Sequence, residues 1–182
     1  MTREMMNNKD DIFLVTTSIG EDVSKSVGIS WHCKKSGSFL IYQKADNNQL
    51  SKIIPQEEVW SIEESYIDDE YNKSRYVCRV LLDNLDPNTK YVYKIICDNV
   101  SSKVFSFTTA NISSCYYSFL SFADFQYSSN ITTLNLVKTF IDNNPESILI
   151  TCSGDIADEG YKEQSHRYLF DSYVFANSIL AS

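Results

Sequence analysis

Two short apolar runs, Tyr117–Ala123 (YSFLSFA) and Ser147–Cys152 (SILITC), flank a stretch in which Leu134, Val137, Phe140 and Ile141 recur at helical spacing. Runs this short, rich in aromatic and β-branched residues, read as strands buried on both faces. The three pieces therefore predict a β-α-β unit with its helix over Ile131 to Asp142. Such units cross over right-handed almost without exception, so the two strands run parallel and, as neighbours, lie about 4.8 Å apart.

Each strand runs directly into an acidic loop, SFADFQ at residues 121–126 and CSGDIADEG at residues 152–160. Loops at the carboxyl ends of parallel strands are where open α/β sheets hold their ligands. The pattern brings Asp124 and Asp155 to that rim side by side. Two unpaired carboxylates so close would repel, and one would take up a proton unless a cation joined them. A hard or borderline divalent metal is the usual answer. An Asp after a strand also serves simply to turn a loop or cap the next helix, and either residue alone would be read that way. Gly154 and Gly160 allow sharp turns on both sides of the second acidic segment.

The first two thirds of the chain have a different texture. DIFLVTT, SVGISWHC, SFLIYQK, RYVCRVLL, KYVYKII and KVFSFTT are short β-prone runs separated by polar turns, at spacings that suit an antiparallel sandwich. Val27, Ile29, Trp31 and Cys33 alternate onto one face, which leaves His32 on the opposite, solvent side. In LDPNTKYVYKI, Tyr91 follows a turn and stands where a tyrosine corner would bond its hydroxyl to nearby backbone. The stretch EESYIDDE (Glu63 to Glu70) reads as a solvated loop rather than a calcium site. The polar junction ANISS (Ala110 to Ser114) is short, so the two parts are expected in fixed contact. The boundaries read as 1–112 for the sandwich and 113–182 for the α/β part.

Charge excludes some partners. With 16 Lys and Arg against 24 Asp and Glu, the net charge of −8 repels nucleic acid and anionic membranes alike. No apolar run reaches membrane-spanning length, and MTREMMNNKDD lacks the basic-then-apolar pattern of a signal peptide. The chain is expected in the cytoplasm if unprocessed, and outside the cell if a leader was removed. Five cysteines (Cys33, Cys78, Cys97, Cys115, Cys152) without a Cys-x-x-Cys pair are expected to be free thiols. The Asn-x-Ser/Thr triplets at Asn72, Asn99, Asn111 and Asn130 read as chance in an Asn-rich chain.

A fibronectin type III-like module with Trp31 and Tyr91, then a strand ending in Asp124, a helix, and a strand leading to Gly154-Asp155, resembles the purple acid phosphatase type of calcineurin-like metallophosphoesterase. The resemblance implies a fibronectin type III-like β-sandwich followed by an incomplete α/β metallophosphoesterase domain. It implies that Asp124 binds one metal and Asp155 bridges two, in a divalent pair of Mn, Fe or Zn that hydrolyses a small-molecule phosphomonoester by a metal-activated hydroxide. Gln126 stands where relatives carry a His ligand, and an amide there could orient water from a second layer. Asp158 stands where purple members carry the tyrosine bound to ferric iron, which argues against a ferric-tyrosinate centre.

No Gly-Asn-His motif follows before Ser182. The remaining histidines are His32 and His166, the latter on an expected helix from Tyr161 to Ala176 where it reads as surface or packing. Two carboxylates cannot complete a dinuclear site, since each ion takes roughly four to six ligands. The 182 residues alone are therefore expected to bind metal weakly or not at all and to be inactive. The uncovered edge of the α/β part is an expected site of self-association. The alternative is a non-catalytic sandwich that binds a partner, with a degenerate α/β remnant; indifference of partner binding to chelators would distinguish it.

Overall fold

The alternation along VGISWHC becomes a strand with Val27, Ile29, Trp31 and Cys33 all buried and the intervening residues half-buried. That one-sided burial sets the architecture, because an antiparallel strand with a single apolar face needs a second sheet opposite it. The computed structural model describes residues 11–61, 74–123, 131–144, 147–154 and 179–181. The described strands of the first part are β1 (Ile12–Ile19), β2 (Val27–Cys33), β3 (Phe39–Lys44), β4 (Ser51–Ile53), β5 (Gln56–Ser61), β6 (Ser74–Leu82), β7 (Lys90–Cys97), β8 (Val100–Ser101) and β9 (Phe105–Thr108). The second part contributes β10 (Ser118–Phe122), α1 (Ile131–Asn143), β11 (Ser147–Cys152) and β12 (Ile179–Ala181).

One face of the sandwich is the run β1-β2-β6-β5, and the other is β4-β3-β7-β8 with β9 also paired to β7. Between them lie Val15, Val27, Ile29, Trp31, Leu40, Val80, Leu82, Tyr93, Ile95 and Phe107, all buried in a single core. Trp31 is fully enclosed, and its indole Nε1 donates to Ser38 Oγ at 3.0 Å, so the one polar atom of the ring is satisfied. Tyr91 stacks on Phe107 with centroids 5.5 Å apart. Its hydroxyl accepts from the backbone N–H of Asp86 at 2.9 Å, which is the tyrosine corner expected from the sequence.

The short strands β4, β5, β8 and β12 are not among the runs picked out by pattern. β5 is exposed at every residue and lies at the end of its sheet, where alternation carries no burial signal. His32 does face away from the core, but it is half-buried rather than bare. Its ring lies 5.6 Å from Phe13 and 6.4 Å from Trp60. Arg75, only 2% exposed, lays its guanidinium 4.1 Å over the Trp60 ring, so this outer face carries an aromatic and cationic layer of its own.

β10 and β11 pair in parallel, and α1 connects them, as the apolar spacing predicts. The helix stops where Asn144 caps it, its side-chain amide donating to Phe140 O at 2.8 Å, immediately before Pro145. Burial on both faces does not extend to β10. Phe119 is 59% exposed and Leu136 on α1 is 63% exposed, whereas Ile150 on β11 and Val137 are buried. β10 also ends the sheet, while β11 has a neighbour on each side.

That second neighbour is β12. It pairs in parallel with β11 on one side and with β1 of the sandwich on the other. The seven-stranded sheet β10-β11-β12-β1-β2-β6-β5 therefore runs unbroken from the α/β part into the sandwich. The expected fixed contact between the two parts takes this form, a shared ladder.

Candidate metal centre

The rim at the carboxyl ends of β10 and β11 is built by register. Phe122 and Cys152, the last residues of the two strands, are partners in the ladder, and Ser153 N extends it by donating to Phe122 O at 2.9 Å. Both chains thus leave the sheet at the same height on adjacent strands. Asp124 follows Phe122 by two residues, and Asp155 follows Cys152 by three.

Gly154 makes the second exit possible. Its φ of +125° lies in the region that side-chain-bearing residues rarely adopt, and nothing stands within 4 Å of where a Cβ would project. The constraint is conformational rather than a shortage of space. The Cys152 thiol donates to Gly154 O at 3.8 Å across the same turn.

Asp124, Gln126, Asp155 and Asp158 all lie outside the described residues, as do His166 and the acidic stretch from Glu63 to Glu70. Among the described residues there is no cluster of three or more His, Cys, Asp or Glu side chains that could hold a metal ion. What is described is the scaffold, two parallel strands whose ends coincide. Ser153 is the residue at this rim that pattern reading did not single out. Its contribution is a backbone N–H, which no side-chain pattern reports. Among the described residues no helix is long and apolar enough to cross a membrane.

An antiparallel β-sandwich whose sheet continues into a parallel β-α-β layer defines the class of this protein. The family described as purple acid phosphatase, N-terminal domain, matches residues 13–109, more than half of the chain, and the chain belongs to that family. The match runs from the second residue of β1 through β9 and stops before β10.

No curated protein matches the chain. Among solved structures, PhoD is similar at 13% identity and a TM-score of 0.49, covering 94% of this chain and 38% of that one. The chain thus spans less than half the length of the PhoD structure. A computationally redesigned β-sandwich protein is similar at 15% identity and a TM-score of 0.37, covering 56% of this chain and 95% of that one.

Proposed function

We propose that this chain is the amino-terminal part of a metal-dependent phosphoesterase. On this reading residues 1–112 form the family's sandwich, and residues 113–182 begin an α/β catalytic domain. The observation that carries the reading is the pairing of Phe122 with Cys152, which sends the segments bearing Asp124 and Asp155 off the same rim of adjacent strands.

Two carboxylates at one rim suit a hard or borderline divalent pair such as Mn, Fe(II) or Zn. Asp124 would hold one ion, and Asp155, with two oxygens, both. When bound, such a pair supplies Lewis acidity that activates water and steadies the charge on a small-molecule phosphoester. The protein's own part is positional: the ladder sets the two exits at the ends of adjacent strands, and Gly154 takes up the sharp turn at the start of the second. Gln126 and Asp158 belong to a supporting layer that orients water and ligands.

The test has two arms. Titration of Mn²⁺ into the 182-residue chain, read by the electron paramagnetic resonance of the free ion, should show weak binding that falls at least several-fold in Asp155→Asn and in Asp124→Asn. Phosphate release from p-nitrophenyl phosphate should be negligible with this chain. It should appear in a longer protein in which these residues are followed by a Gly-Asn-His segment, and disappear with Asp155→Asn. Equal Mn²⁺ binding by all three proteins, or unchanged turnover in the longer Asp155→Asn variant, would overturn the reading.

A further inference from the structure

The two ends of the seven-stranded sheet are guarded differently. β5 closes one end and carries Glu57 and Glu58, the second paired with Arg79, with Pro55 just before it. Charge and proline on an edge strand oppose pairing with another chain. β10 closes the other end with Ser118-Phe119-Leu120-Ser121-Phe122, a strand without charge, proline or glycine. Phe119 is 59% exposed there, and Tyr116 and Tyr117 just before the strand are 90% and 55% exposed.

Register shows which backbone groups this edge presents. Phe122 is the ladder partner of Cys152, and its carbonyl accepts from Ser153 N at 2.9 Å, so its polar groups point toward β11. Along a strand these groups alternate between the two sides. Leu120 therefore also serves β11, while the N–H and C=O of Phe119 and Ser121 point off the sheet. Among the described residues no strand pairs with that side.

The order of side chains along β10 fits a second copy of itself. Turned antiparallel about a dyad at Leu120, the strand sets Phe119 opposite Ser121, Phe122 opposite Ser118 and, one step past its ends, Tyr117 opposite Ala123. Each aromatic ring meets a small residue, the alternation that lets facing side chains interdigitate. This register also pairs all five residues of the strand. A dyad at Phe119 would instead set that ring against its own copy and Tyr116 against Phe122. With the dyad at Leu120, Phe119 and Ser121 of one copy exchange both backbone bonds with Ser121 and Phe119 of the other, the residues whose polar groups point outward. Asp124 is the one charged residue from Tyr116 to Asp124, and it falls opposite Tyr116, so no like charges meet.

We propose that β10 is a homodimer interface, through which two copies of the chain join β10 to β10 antiparallel about Leu120 as one continuous sheet. Antiparallel pairing sends the two rims off in opposite directions, so association is independent of metal and stands apart from the phosphoesterase reading. Each copy carries a net charge of −8, so the dimer tightens as salt screens the repulsion. The interface is small beside the ~1,200 Å² at which stable ones begin, and a dissociation constant of about 10–100 µM is expected.

Sedimentation velocity of the 182-residue chain, run from tenfold below to tenfold above that constant, should show monomer giving way to dimer. Across the same range, hydrogen exchange read by NMR should slow several-fold at the amides of Phe119 and Ser121. Phe119→Lys and Ser121→Glu, both at exposed positions, should each weaken association at least several-fold. An equimolar mixture of the two variants should recover it, because the register sets the new charges opposite each other; recovery also shows that both chains fold. Three results would each overturn the proposal. They are a monomer at every concentration, protection of the two amides that is the same at all concentrations because residues of the same chain cover the edge, and a mixture that associates no better than its components.

Discussion

The sandwich and the parallel layer solve the same problem of burying strands by different means. In the sandwich each strand of β2, β6 and β7 turns one apolar face inward, and two sheets cover each other, so the core around Trp31 closes with what residues 12–109 supply. The parallel layer needs cover on two faces and both edges. It leaves Phe119, Leu136 and Tyr117 more than half exposed while burying Ile150 and Val137. The comparison teaches that completeness is a property of topology rather than of apolar content: β10 is as hydrophobic as β7, yet only β7 lies inside its sheet.

The largest effect should come from Trp31→Ala, which empties the centre of the sandwich. A loss of about 3–5 kcal/mol in unfolding free energy is expected, measured by urea denaturation. A loss below about 1 kcal/mol would mean that the sandwich is not the self-sufficient half. Ile150→Ala should cost about 2 kcal/mol locally. Hydrogen exchange should then accelerate in β10 and β11 while β2 and β7 stay protected. Loss of protection in all four together would show that the shared ladder makes one cooperative unit.

Tyr91→Phe removes the corner hydrogen bond to Asp86 N and leaves that donor without this acceptor, for about 1 kcal/mol by thermal unfolding. The smallest effect concerns the ion pair of Lys35 and Asp98, just past the ends of β2 and β7. The Asp98 carboxylate, by hydrogen bond and charge, holds the Lys35 ammonium above its ordinary value. Its contribution is fully present below about pH 10.4 and is lost as pH rises through the higher folded value. The fall in melting temperature across that interval should be slightly steeper in wild type than in Asp98→Asn. Parallel curves would remove the ion pair from the account.

Much of the sandwich was legible because its signals are local. Alternation marked Val27 to Cys33, and the turn before Tyr91 announced the corner. The β-α-β unit was equally plain, with β11 running over the residues that its pattern marks and α1 extending one residue beyond the expected end. Illegible were the features whose cause is distant in sequence. β12 is three residues long and gains meaning only by lying between β11 and β1. Leu14 adopts a φ of 50° at a register shift between Phe13 and Thr16, and no composition at that position betrays it. At the candidate site, the sequence marked the strands and the rim, and the register of Phe122 with Cys152 agrees with it. The placement of Asp124 and Asp155 falls outside the described residues.

The union of the two parts through β12 has a structural consequence. Backbone hydrogen bonds form a continuous transverse path from β5 to β10. Among the described residues that path passes through β12, three residues long, so the ladder of the sandwich reaches the strand ends at Phe122 and Cys152 by way of it.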